Sequence, residues 1–227
     1  MYTVENDEAV LVVEDIEDAT GGNGYVVYLT RQTTENAKPN LSDLIEDGYY
    51  YWDYIYYDFY DNGGQTELYA MKIGGEAYRV FDEEEMEDYS YINYDANSGY
   101  LYWMDGYDSD DGGELMRALI GESGLGETEK IDRDVNDYFW GIDGEIYYIT
   151  DEINGEGTAY CFDGEESTKI ADDVYNIVTL SDPLDDESKI LLVWTDYDEN
   201  AELATLNVFN GKELVKVDDD VYCYNVM

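Results

Sequence analysis

Ile146-Tyr147-Tyr148-Ile149, followed by an acidic, glycine-containing turn at 151–157, is the stretch that decides the fold. It is apolar at four successive positions where a half-exposed strand would alternate, so both of its faces must meet protein. The run is short, aromatic and flanked by Asp and Gly, which favours a strand over a buried helix. The same text recurs on either side of it. Short apolar runs begin at Val10, Ile55, Leu101, Ile146 and Leu191, in steps of 45, 46, 45 and 45 residues.

Each run leads into an acidic turn, at 15–24, 58–64, 105–113, 151–157 and 196–200, and then into a second strand at 25–29, 68–71, 115–119, 159–162 and 203–209. Hairpin dipeptides such as Gly74-Gly75, Asp163-Gly164 and Asn210-Gly211 suit two-residue turns. They introduce a third strand at 78–81, 130–131, 169–170 and 214–217. A tyrosine then opens a fourth: Tyr49, Tyr89, Tyr138, Tyr175 or Tyr222. Four strands per unit of about 45 residues, repeated in series, predict an all-β protein. The expected architecture is a single β-propeller domain over residues 1–227 with five four-stranded blades. Tyr2 precedes Val10 much as Tyr138 precedes Ile146. Residues 221–226 therefore either close the ring on the first blade or continue a longer array.

Composition narrows the function classes. The 227 residues carry 56 Asp+Glu against 11 Lys+Arg, a net charge of −45, which argues against nucleic acid or an anionic membrane surface and for cationic partners. There is no histidine, so Ser/His and Cys/His nucleophile pairs and imidazole metal ligands are excluded. Cys161 and Cys223 are too few for a zinc cage or a disulfide framework and read as free thiols. A content of 44% hydrophobic residues, with 26 Tyr, is enough for a core despite the charge. No apolar run of about 18 residues exists to insert into a membrane. Residues 1–15 are acidic where a secretory signal would be basic and then apolar.

Candidate site residues fall in the turns. Asp196-x-Asp198-x-Asn200 has alternating oxygen ligands, and Asp105, Asp108, Asp110 and Asp111 form a dense cluster, so calcium is the one cofactor worth considering. Ala201 stands where an EF-hand loop needs glycine, and the same residue types also close hairpins by local hydrogen bonding. Carboxylate-only glycoside hydrolysis needs no histidine, but 56 acids make a suitably spaced pair inevitable by chance. Aromatics at the loops after the inner strands, Trp52-Asp53-Tyr54, 93–100 with Tyr100, and Trp140 to Asp143, are the candidates for binding a partner or a sugar.

Tyr102-Trp103-Met104-Asp105 and Val193-Trp194-Thr195-Asp196 resemble the YWTD blade signature of propellers in the low-density lipoprotein receptor class. The text Ile146-Tyr147-Tyr148, Tyr160, Asp163-Gly164 and Lys169-Ile170 is similar to bacterial propellers of unknown function grouped with that class. The resemblance implies a non-enzymatic binding module, extracellular or at the cell surface, although that class closes with six blades. The leading expectation is a binding or adhesion module for a protein partner bearing basic residues. The alternative is a glycan-binding or glycoside-acting propeller using carboxylates and exposed Tyr/Trp. An acidic mimic of a nucleic-acid backbone is a third reading.

Overall fold

A computed structural model of the chain describes residues 2–5, 8–11, 16–31, 66–82, 86, 88–141, 144–182 and 185–222. These form sixteen strands in chain order: β1 (Tyr2–Glu5), β2 (Glu8–Leu11), β3 (Ile16–Gly22), β4 (Tyr25–Arg31), β5 (Thr66–Lys72), β6 (Ala77–Arg79), β7 (Tyr89–Tyr94), β8 (Tyr100–Asp108), β9 (Gly112–Leu119), β10 (Glu129–Trp140), β11 (Ile146–Ile153), β12 (Glu156–Phe162), β13 (Ser167–Asp182), β14 (Asp185–Asp198), β15 (Leu203–Phe209) and β16 (Leu214–Tyr222). The protein is all-β, as the aromatic and β-branched runs require. Among the described residues no helix is long and apolar enough to cross a membrane. The chain divides into two compact units, Met1–Asp105 with Met116–Glu129, and Gly106–Leu115 with Lys130–Met227.

In the first unit β3, β4, β5 and β6 form one antiparallel sheet in chain order, β1 pairs β2, and β7 pairs β8. Its core gathers Val27, Leu29, Leu68, Ala70, Phe81, Ile92, Leu101 and Trp103. Two repeat assignments change here. Residues 16–22, expected inside a turn, form β3, and β4 pairs directly with β5 although the repeat places them in different units. Tyr28 lies opposite Tyr69 in that register and the rings stack at 5.6 Å, so a cross-strand aromatic pair holds this junction.

In the second unit β10 to β16 follow one another in one open antiparallel sheet, each strand paired with the next. The closed ring of five separate blades is not formed among the described residues. The expected third and fourth strands are fused: 130–131 with 138–140 in β10, and 169–170 with 175–178 in β13. The cause is one residue per strand. Asp134, Asp173 and Asp220 have φ of 54°, 52° and 53°, and Asp is one of the few L-residues that visit this left-handed region. A single such residue makes a bulge that re-aims a strand without ending it.

The bulge transfers the strand from one neighbour to another. Residues 167–174 of β13 pair with β12, from Ser167↔Phe162 to Val174↔Gly157; residues 174–182 pair with β14, from Val174↔Thr195 to Asp182↔Asp185. Each transfer starts a new sub-sheet, and the two sub-sheets pack face to face. Tyr147, Ile149, Ala159 and Cys161 of β11 and β12 share one core cluster with Leu191, Val193 and Phe209 of β14 and β15. By register Ile149 corresponds to Trp194, since Asp137↔Ile149 repeats as Asn176↔Trp194, so Val193 lies on the opposite face from the counterpart of Ile149. Unlike faces therefore meet, and the whole Ile146–Thr150 run is buried, as its continuous apolar text requires.

Candidate functional site

The chemistry of the second unit collects where these strands change partners. The register sets Val135 opposite Thr150, Val174 opposite both Gly157 and Thr195, and Val221 opposite Ala204. The bulge aspartates Asp134, Asp173 and Asp220, each one residue before its valine, thus lie at the end of the sub-sheets where the β11–β12 and β14–β15 hairpins turn. Those hairpins add Asp151 and Asp196, both exposed with φ of 53° and 55°. Their carboxylates accept the hydroxyl of the preceding threonine, Thr150 at 3.4 Å and Thr195 at 3.1 Å. The basic side chains alongside are paired: Arg133 with Asp134 at 3.4 Å, Lys169 with Asp172, and Lys216 with Asp219. Exposed pairs of this kind are weak and leave the excess of acid in place.

An aromatic pair sits in this rim. Tyr175, just past the Asp173 bulge, stacks on Tyr197, just past the Asp196 bulge, with centroids 4.0 Å apart and planes 20° apart. Both rings are half-buried, and the Tyr197 backbone N–H donates to Glu156 Oε1 at 2.7 Å. The arrangement offers a π-face flanked by carboxylates, the combination that attracts an ammonium or guanidinium group.

The residues singled out in the sequence are distributed as follows. Asp198 Oδ1 accepts the N–H of Asn200 at 2.9 Å and of Ala201 at 3.2 Å, which holds its carboxyl below the usual range. Asp108 Oδ1 accepts the N–H of Asp110 at 2.8 Å; Asp110 and Asp111 are exposed in the same turn, and Asp105 is half-buried in β8. Among the described residues no group of three or more His, Cys, Asp or Glu is placed to hold a metal ion. Tyr100 is half-buried under the Arg117 guanidinium, 4.5 Å from its ring centroid, and Arg117 also pairs with Glu129 at 2.8 Å. Trp140 is half-buried, its carbonyl accepting the Thr179 hydroxyl at 3.3 Å. Cys161 is buried and its thiol pushed up to about 12, chiefly by burial, so it is an inert core group. Trp52, Asp53, Tyr54, Asp143 and Cys223 lie outside the described residues.

Sequence reasoning missed Asp137. It is half-buried in β10, and burial first, with the nearby Glu152 charge adding to it, pushes its carboxyl up to about 6. The Tyr138 backbone N–H donates to its Oδ1 at 2.8 Å and opposes that rise. Its signal in the sequence was a lone acid directly before the apolar Tyr138-Phe139-Trp140.

No family model matches the chain, and no curated protein does. Among solved structures it is similar to an ACO/RPE65 chimera, at 13% identity and a TM-score of 0.45 over 94% of this chain and 52% of that one. It is also similar to a mutant of the Synechocystis apocarotenoid oxygenase, at 12% identity and a TM-score of 0.43 over 95% of this chain and 53% of that one. The chain spans about half the length of these matches. Two expectations are corrected. The YWTD resemblance is overturned: no family model matches the chain, and the described strands form open antiparallel sheets. The inference that the chain is non-enzymatic, which rested on that resemblance, falls with it. At these TM-scores the solved structures assign no activity to this chain.

Proposed function

We propose that the chain is a binding module whose acidic rim in the second unit recognises a protein partner through lysine or arginine side chains. The observation that carries this reading is the stacked Tyr175–Tyr197 pair between the Asp173 and Asp196 bulges, with Glu156 fixed beside it. A net charge of −45 adds long-range attraction for a cationic partner, which salt screens beyond about 8 Å at physiological strength. Ring closure with five blades belongs to this proposal: the sub-sheets, with their strand transfer and their packing of unlike faces, are its blades.

The test is titration of a lysine-rich peptide into the intact chain at low and at physiological salt. Tyr197→Ala and the triple change Asp134→Asn, Asp173→Asn and Asp220→Asn are compared with the parent. Asn tolerates the same left-handed backbone, so the triple variant removes charge and keeps the bulges. Affinity should fall about tenfold or more in each, with a weaker salt dependence in the triple variant. Equal affinity in all three proteins refutes the rim as the binding site.

A second reading, carboxylate chemistry on a glycan, is favoured by Asp137. A carboxyl raised to about 6, chiefly by burial, has the character of a general acid. Hydrolysis of aryl glycosides that Asp137→Asn abolishes would support it, and retained hydrolysis in that variant would exclude Asp137.

A further inference from the structure

We infer that Asn154, at the tip of the β11–β12 hairpin, is a site of spontaneous deamidation that adds a carboxylate to the acidic rim. The site itself stands on the geometry of the Asn-Gly turns; its effect on binding rests on the anionic-binder reading.

The reaction needs only water. The backbone nitrogen of the following residue attacks the asparagine Cγ, and the new N–C bond closes a five-membered succinimide. The Cγ–Nδ2 bond breaks, and ammonia leaves with the backbone amide proton. Water then opens the ring at either carbonyl, giving aspartate or, with the main chain routed through Cβ, isoaspartate. A following glycine leaves the attacking nitrogen unshielded. A side-chain amide already held by the protein must first be released.

The fold treats its described Asn-Gly pairs differently; Asn62-Gly63 lies outside the described residues. Asn23-Gly24 and Asn154-Gly155 both close two-residue hairpins, with Gly22 opposite Tyr25 and Ile153 opposite Glu156. Both asparagines are left-handed, with φ of 49° and 56°. Asn23 is clamped: its Nδ2 donates to the Ser98 carbonyl at 3.2 Å and lies 2.3 Å from where a Cβ on Gly99 would stand. Asn210 is clamped through its Oδ1, which accepts the N–H groups of Lys212 and Glu213 at 3.0 Å each. Asn154 shares the turn of Asn23 without the clamp. Its side chain is exposed and makes no hydrogen bond among the described residues, and Ile153 before it is 71% exposed. Attack requires the turn to open locally, so each bond that must break first lowers the rate.

This turn borders the stacked tyrosines. A Cβ on Gly155 would lie 3.8 Å from Tyr175 Cε2, and Glu156, next in sequence, accepts the Tyr197 N–H. The new carboxylate therefore joins Asp151, Asp173 and Asp196 at the hairpin end of the sub-sheets.

The experiment ages the full chain in mildly alkaline buffer, folded and in urea. Peptide mapping by mass spectrometry follows each amide-to-acid conversion, and enzymatic methylation of isoaspartate in the digest gives a second readout. In urea Asn23, Asn154 and Asn210 should react at similar rates, since glycine follows each. In the folded chain Asn154 should lead, about fivefold ahead of Asn23 and about tenfold ahead of Asn210. Equal folded rates at the three sites, or a lead for Asn23 or Asn210, overturn the site. Titration of a lysine-rich peptide into the fresh chain, the aged chain and the variant Asn154→Asp reads the consequence. Affinity should rise about twofold at low salt in the last two and converge with the fresh chain at high salt. Unchanged affinity at low salt would put Asn154 outside the rim and overturn its effect on binding. Failure of the peptide to bind any of the three removes the anionic-binder reading and leaves the deamidation site standing on the mapping alone.

Discussion

The two sub-sheets of the second unit are built from equivalent text and packed differently. In the first, Tyr147, Ile149, Ala159 and Cys161 are all buried against the second. At the corresponding positions of the second, Trp194 is buried, whereas Leu192, Leu206 and Val208 are half-buried. Strand text therefore sets the fold of each unit, while its place in the array sets how much of that text is withdrawn from water. In repeat architectures each unit is stabilised by its neighbours.

That difference yields the largest expected effect. Tyr147 is fully buried and its ring meets Phe209 edge-on at 6.2 Å, so Tyr147→Ala should cost about 3–5 kcal/mol. Leu192→Ala, at the equivalent half-buried position, should cost about 2 kcal/mol, the lower end for such truncations. Urea denaturation of both variants checks the contrast, and equal losses would mean that the two faces are equally covered.

The next effect is steric. Gly157 and Ala204 occupy the same register position, opposite Val174 and Val221. A Cβ on Gly157 would lie 2.5 Å from Ile149 Cγ2 and 2.7 Å from the Thr150 carbonyl oxygen. Gly157→Ala should therefore destabilise by about 1–3 kcal/mol through overpacking. Ala204→Gly creates no clash and should cost only about 0.5–1 kcal/mol in added chain freedom. If Gly157→Ala is neutral in thermal melts, the approach of the strands at that point is looser than described.

The repeat was legible in the sequence because burial on both faces leaves an unbroken apolar run, as at Ile146-Tyr147-Tyr148-Ile149. Strand boundaries were less so, for two physical reasons. Asp172-Asp173 and Asp132-Arg133-Asp134 have turn composition, yet one left-handed aspartate bends a strand without ending it. Among the described residues Ile16–Gly22 ends its sheet beside β4 alone, and an end strand of this kind tolerates polar residues such as Asp18 and Thr20 in place of an apolar run. The candidate site was legible as acidic hairpins but not as a rim: Tyr175 and Tyr197 are far apart in sequence and meet only because Val174 pairs with Thr195.

A third contrast is electrostatic. Asp137 and Asn176 are equivalent, so the second sub-sheet already carries the neutral isostere. The Asp137 carboxyl ionises near 3.8 when unfolded and at about 6 when folded. Stability from this site is thus full below 3.8 and declines as pH rises through 6. The full shift would correspond to about 3 kcal/mol, and solvent reaching the half-buried group reduces this to about 1 kcal/mol. Asp137→Asn should accordingly be more stable than the parent at pH 7 and indistinguishable from it below pH 4. Melting curves across that range check it, and a variant less stable at pH 7 would show that the charge is stabilised by its surroundings.

The smallest effect separates two turns of one geometry. Asp163 Oδ1 accepts the N–H of Glu165 and Glu166 at 2.8 and 2.9 Å, and Asn210 Oδ1 accepts those of Lys212 and Glu213 at 3.0 Å each. One turn is closed by a carboxylate and the other by an amide. The two N–H donors hold the Asp163 carboxyl below its ordinary range, whereas Asn210 does not titrate. The charged turn contributes its stability above the unfolded carboxyl value and loses it as pH falls through the lower, folded one. Asp163→Asn should therefore leave the neutral-pH melting temperature nearly unchanged and make the protein slightly more resistant to acid. At residue level, the amide shifts of Glu165 and Glu166 should move with pH in the parent and stay flat in the variant, as those of Lys212 and Glu213 do in both. A parent in which all four amides are equally flat in acid would mean that the Asp163 carboxylate does not close its turn, and the likeness between the two hairpins would then be one of sequence alone.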